Sequence, residues 1–218
     1  MNRSLNTALR AARWLGTKEG SREHSEILRI YNGIRPLPRG YAMKAKDPWC
    51  AAFVSAAAVQ AGAEDRYPLE CSCSKIIELA KSRGIWVEND GFVPLVGDWV
   101  LYDWQAKADG DDTGSPDHIG VVIAVEQGEI LAVEGNYDNA VKLRRFPIDW
   151  EKLRGFVSPP REEDSMRYHT LKEVPDYARA TIEKLTADGS LKGLSADDLG
   201  LSEDLVRILV ILDRRGML

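Results

Sequence analysis

The apolar residues change their spacing part-way along the chain, and that change restricts the fold more than any other feature. Up to Gly84 they recur at helical intervals, and from Phe92 they alternate as in strands. Residues 4–15 predict a helix with Ser4 as its cap, Leu5, Ala8, Leu9 and Ala12 on one face, and Gly16 as its stop. Residues 21–32 repeat the arrangement with Ile27, Ile30, Tyr31 and the stop Gly33. Pro36, Pro38 and Gly40 then impose a loop. A third helix is predicted to open at Asp47-Pro48-Trp49-Cys50 and run to Gly62, with Asp47 as cap and Pro48 at the first helical position. Residues 72–83 predict a fourth.

Strands are predicted at residues 97–102, 119–125, 130–134, 141–146 and 154–157, each bounded by turn residues. Short strands in succession imply an antiparallel sheet. Helices first and strands second make the fold α+β, with N-terminal helices packed on that sheet. Residues 159–168 read as a linker, beginning Pro159-Pro160-Arg161. Beyond it residues 175–187 and 202–215 predict two amphipathic helices, with Leu185, Leu191, Leu194, Leu199 and Leu201 between them. The expected organisation is therefore a main domain over 1–158, the linker, and a small helical module over 169–218.

Charge and composition exclude several classes. The chain of 218 residues has 29 Lys and Arg against 34 Asp and Glu, and neither part is basic, which argues against nucleic acid as a partner. No apolar run is long enough to cross a bilayer, and the first fifteen residues hold no unbroken apolar core of a secretory signal. Synthesis in a cytoplasm is expected. Three cysteines, Cys50, Cys71 and Cys73, make no disulfide framework and no zinc spacing; Cys71 and Cys73 read as core filling.

Cys50 is different because it falls in the first turn of a helix, where unpaired N–H groups and the helix dipole favour a thiolate. A thiolate nucleophile also needs an imidazole that can protonate a leaving amine. His24 and His169 read as surface residues, whereas His118 opens a strand after a polar loop. A third group should orient the ring, and Glu134 and Asn136 end the neighbouring strand. A three-residue loop, Glu126-Gln127-Gly128, would pair His118 with Asn136 and leave Glu134 diagonal on the same face. A two-residue loop would put Glu134 on the opposite face and force Gln127 to positive φ. The first register is expected.

WCAAFVSAA at Trp49, GDWVLYDW at Gly97, DHIGVV at Asp117, EGN at Glu134 and GF at Gly155 together resemble, in order and spacing, a CHAP domain over roughly residues 6–160. These are papain-like cysteine amidohydrolases and peptidases of cell-wall chemistry. The resemblance implies Cys50 as nucleophile, His118 as base and acid, Glu134 as orienter and Asn136 as a further site residue. It implies hydrolysis of a peptidoglycan amide, by an amidase or an endopeptidase of the phage endolysin type, made in the cytoplasm of a bacterial host and acting on the wall after release from that cytoplasm. Some CHAP domains bind calcium through an acidic loop before the nucleophile, but here RGYAMKAKDPWC offers only Asp47, so no metal or cofactor is expected. The loop carrying Asp109, Asp111 and Asp112 lacks the calcium-loop pattern. An amidase of small glutathionylspermidine-like conjugates and a non-catalytic wall binder are the alternatives. The oxyanion formed on attack would be met by the N–H of Cys50; no second donor is readable. The tail is similar to helical wall-binding modules and loosely to surface-layer homology repeats, which implies wall polymers as its partner. Its nine basic against twelve acidic residues after Pro160 oppose simple attraction to anionic polymers, and a stabilising or dimerising hairpin is the alternative reading.

Overall fold

A computed structural model describes residues 2–89, 91–105, 114–160, 167–193, 195 and 198–218. The loop acids Asp109, Asp111 and Asp112, the linker residues from Arg161 to Ser165, and Leu194 lie outside the described residues. The chain divides into two units, Arg3–Arg161, and Glu162–Leu218 with Met1–Asn2.

The larger unit is α+β. Its helices are α1 (Arg3–Arg13), α2 (Arg22–Asn32), α3 (Cys50–Gln60) and α4 (Cys73–Ser82). Its strands are β1 (Trp86–Val87), β2 (Trp99–Tyr102), β3 (His118–Glu126), β4 (Glu129–Tyr137), β5 (Ala140–Pro147) and β6 (Leu153–Val157). They form one sheet in the order β1-β6-β2-β3-β4-β5, every pair antiparallel. The two-residue β1 was not expected; it is too short to show a period.

α3 packs against α1, α2, β3 and β4, and every residue from Cys50 to Ala58 is buried. A helix that is apolar all round belongs inside, and its small alanines let neighbouring elements approach. Its start differs from expectation. Asp47 does not cap it: Oδ2 accepts from the Lys44 N–H at 2.8 Å and the Tyr41 hydroxyl at 2.9 Å, closing the preceding turn. Pro48 steers Asp47 away from helical geometry, and Trp49 takes the cap position without a side-chain bond, leaving Cys50 as the first helical residue. By contrast Ser21 caps α2 as expected, accepting from the His24 N–H at 3.1 Å.

The β3–β4 hairpin corrects the expected turn. Glu126 pairs with Glu129, so the loop is only Gln127-Gly128, at φ 52 and φ 82. Two positive φ values match the twist of the flanking strands; glycine takes the second at no steric cost, and the roughly 1–2 kcal/mol that a left-handed Gln127 costs is outweighed by the ladder. Farther on, Ile123 is an extra residue: Ala124 pairs with Leu131 but Val122 pairs with Ala132. That bulge moves the register by one, from which Val121 opposes Val133. One step further this register sets Gly120 against Glu134 and so puts Glu134 diagonal to His118. The site register therefore comes from a bulge at Ile123 and not from the turn.

The smaller unit contains β7 (Arg167–Tyr168), α5 (Asp176–Ala187), β8 (Leu201–Ser202) and α6 (Glu203–Arg214). β7 and β8 pair antiparallel; both were missed, and β7 falls in the stretch expected as linker. Val174, Ala178, Ile182, Leu185, Leu201, Val206 and Val210 form this unit's own core. Ser202 caps α6, accepting from Leu205 N–H at 3.2 Å.

Candidate active site

Cys50 and His118 begin their elements, and Glu134 lies in β4 one bulge away. His118 Nε2 is 3.0 Å from Glu134 Oε2, and Glu134 is wholly buried. An ionised carboxylate only accepts, so Nε2 carries the proton of this bond and Nδ1 is left for the thiol. Cys50 and His118 are 7% and 8% exposed. Each has a small opening to solvent and is otherwise walled by protein.

The three groups polarise one another. The Cys50 thiol is held well below its ordinary pKa, first by a hydrogen bond from Cys73 and then, against the cost of burial, by the imidazole. Burial alone would lower His118, but the Cys50 and Glu134 interactions outweigh it and hold the imidazole up at about 9. Burial likewise works to raise Glu134, and His118 and Arg144 overcome it and keep the carboxyl low. The three shifts run in one sense: each favours the charged form of its group, the thiolate, the imidazolium and the carboxylate.

Asn136 is brought to the bulge between β4 and β5. Gly135 and Asn136 together face the place of one β5 residue, since Glu134 pairs with Lys142 and Tyr137 with Ala140. Asn136 is at φ 59, a left-handed position that asparagine tolerates. Among the described residues no hydrogen bond joins its side chain to His118 or Glu134.

Sequence reasoning missed four contributors. Arg144 Nε donates to Glu134 Oε1 at 2.7 Å, so the buried carboxylate is held from both ends. The guanidinium itself lies 4.1 Å from the Tyr137 ring and 5.0 Å from the Trp104 ring, a stacking environment suited to arginine. Nothing in a lone arginine on an alternating strand signals this. Gly120 is the second: a Cβ there would stand 2.7 Å from Glu134 Cγ, so its missing side chain is the space through which the carboxylate reaches His118. Cys73 is the third, its sulfur 4.0 Å from that of Cys50. Trp104 is the fourth, 38% exposed with its ring 6.1 Å from His118; Asp117 anchors it by accepting from the Trp104 N–H at 2.8 Å.

His24 corrects an expectation. It is buried, 1% exposed, with its ring 4.7 Å from that of Trp49. Its spacing from Ile27, Leu28 and Tyr31 puts it on the buried stripe of α2. His169 is exposed as expected and bonds Asp198 at 2.8 Å. The GDW segment is structural: buried Asp98 accepts from the Leu95 N–H at 2.8 Å, and Trp99 stacks on Tyr67 at 4.5 Å.

Among family models, residues 11–169 match DUF2272, described as an uncharacterized protein conserved in bacteria. The chain belongs to this family. Cys50, His118 and Glu134 all fall within the DUF2272 match. No curated protein matches the sequence. The solved structures similar to this chain include two of one protein. One is the crystal structure of Ly7917, at 15% identity and a TM-score of 0.41, over 76% of this chain and 65% of that one. The other is Ly7917 with the hydrolyzing product of MDP, at 15% identity and a TM-score of 0.40, over 76% and 66%. The DUF2272 chain thus spans just under two thirds of the length of either, and at this level the likeness carries no argument about activity. Among the described residues, no helix is long and apolar enough to cross a membrane.

Proposed function

We propose that this protein is a cysteine amidohydrolase that cuts an amide bond of bacterial peptidoglycan. The observation that carries the reading is the continuous line of Cys50, His118 and Glu134, with the imidazole bonded to a buried carboxylate at 3.0 Å and interacting with the thiol. The substrate class comes from the resemblance of the segments bearing these residues to CHAP enzymes.

In the proposed reaction the Cys50 thiolate attacks the amide carbonyl, forming a C–S bond and an oxyanion that the N–H groups at the start of α3 stabilise. His118 gives its proton to the nitrogen as the C–N bond breaks, releasing the amine and leaving an acyl-enzyme. The neutral imidazole then takes a proton from water, which attacks the thioester and frees the carboxylate and Cys50. Glu134 keeps the ring in one tautomer and orientation throughout, and Arg144 keeps Glu134 ionised and aimed. Asn136 is the fourth residue of the proposed site, acting through the bulge that directs the end of β4. We read the smaller unit, which has a core of its own, as an accessory wall-contacting module on the resemblance of its segments alone.

Purified peptidoglycan incubated with the protein should lose turbidity. Mass spectrometry of the fragments then reads the bond: a free lactyl carboxyl on the sugar identifies an amidase, a new peptide amine within the stem or bridge an endopeptidase. Cys50→Ala and His118→Ala, each shown folded by circular dichroism, should clear no wall. Clearing by either variant at the parent rate overturns the mechanism.

A further inference from the structure

Cys73 forms and breaks no covalent bond in the reaction above, yet its sulfur lies against the nucleophile. The two Sγ atoms are 4.0 Å apart, and Cys50 and Cys73 are each the first residue of a helix, α3 and α4. A disulfide needs about 2.0 Å, so the two sulfurs must move together by about 2 Å to bond. Cys71 is near in sequence but placed elsewhere: it is half-buried, its N–H donates to Glu70 Oε1 at 2.7 Å, and its thiol lies beside Tyr31. Of the two other thiols, the fold brings one to Cys50 and turns the other away.

We propose that Cys50 and Cys73 are a reversible dithiol pair, in which a hydroperoxide oxidises Cys50 and Cys73 resolves the product as an intramolecular disulfide. The Cys50 thiolate attacks the outer oxygen of the hydroperoxide. The O–O bond breaks, the alkoxide leaves and takes a proton to become an alcohol, and Cys50 is a sulfenic acid. The Cys73 sulfur then attacks the sulfenic sulfur; the S–S bond forms as the S–O bond breaks, and hydroxide leaves with the Cys73 proton as water. Two thiols and one hydroperoxide give one disulfide, one alcohol and one water, the peroxide taking up the two electrons the sulfurs lose. The low-pKa Cys50 is the thiol that reacts first, and the protonated Cys73 the one that follows. That this closes the enzyme rests on the function proposed above; the disulfide itself does not.

The test treats the reduced full chain with hydrogen peroxide, caps remaining thiols with an alkylator, and reads intact and peptide masses. The expected product is lighter by two hydrogens before capping, is alkylated at Cys71 alone, yields a cross-linked peptide holding Cys50 and Cys73, and returns to three free thiols with dithiothreitol. Cys71→Ala should keep the cross-link. Cys73→Ala, shown folded, should instead gain oxygen on Cys50. An oxygenated Cys50 beside an alkylatable Cys73 in the parent, a cross-link through Cys71 in any of these proteins, or three unreacted thiols overturns the proposal. If the cross-link forms in a protein that clears no wall when reduced, the hydrolase reading fails and the dithiol pair stands.

Discussion

Two histidines of this chain hold a carboxylate, one in each unit, and bond length does not distinguish them: His118 lies 3.0 Å from Glu134 and His169 2.8 Å from Asp198. Their surroundings do. The first pair's side chains are 10% and 0% exposed, the second's 55% and 37%. At the surface water and salt screen such a pair, which is then worth roughly 0–1 kcal/mol. In the interior the carboxylate has no water to fall back on, so Arg144 on one side and His118 on the other must both be present. In the proposed reaction the buried pair differs from the exposed one because burial makes its partners obligatory and its ring interacts with the Cys50 thiol.

The sharpest way to break this comparison is to neutralise each acid in turn. Glu134→Gln should slow wall clearing by about 10²–10⁴-fold, because the ring loses both its orienting acceptor and its counter-charge. Asp198→Asn should leave the rate within about twofold, as a change in an exposed pair. Equal losses in the two variants would mean that the buried pair has no special part.

Next comes Arg144→Met, which keeps apolar contact with Tyr137 but removes the second partner of Glu134. A fall of about 10–100-fold in clearing rate is expected, the usual scale for a residue that supports a catalytic one, with the pH profile shifted as Glu134 and His118 lose their bias. An unchanged profile would assign Arg144 to packing alone.

The buried pair should also be visible in stability against pH. His118 is raised from an ordinary 6.5 to about 9. A raised pKa contributes stability that is complete below the unfolded value and is lost as pH climbs through the folded one. The unfolding free energy of the parent minus that of His118→Gln, from urea titration, should therefore decline from pH 6.5 to pH 9. A difference that grows over that interval contradicts the ion pair.

The smallest expected effect concerns the space between the groups. Outside a left-handed position, Gly→Ala commonly stabilises by about 0.4–1 kcal/mol through the unfolded chain. At Gly120 the new methyl would meet Glu134 Cγ at 2.7 Å and the Val133 carbonyl at 3.2 Å. Overpacking of that kind costs about 1–3 kcal/mol, so Gly120→Ala should be net destabilising and should slow clearing by displacing Glu134. A more stable and fully active variant would show that Glu134 has slack the structure does not suggest.

Much of this was legible without coordinates. The change of period at Phe92 separated helices from strands, and Cys50, His118 and Glu134 stood out because a helix start, a strand start and a strand end are positions with chemical consequences. The burial of His24 was also readable, from its spacing to Ile27 and Tyr31, but a polar residue type drew attention away from its position. The register was reached by the wrong turn: Gln127 accepted a left-handed conformation, and an unmarked isoleucine in an apolar run absorbed the shift.

The linear order of residues determined which elements form and which side chains sit at their tips, because periodicity and helix starts are properties of neighbours along the chain. Only the tertiary structure decided that Cys73 would touch Cys50, that Arg144 would brace Glu134, and that Gly120 would leave room between carboxylate and ring. Those pairings join residues 10 to 23 apart in sequence. They depend on how helices and strands pack and where a strand bulges, and packing is settled by volume and exclusion of water across the whole unit rather than by any local pattern.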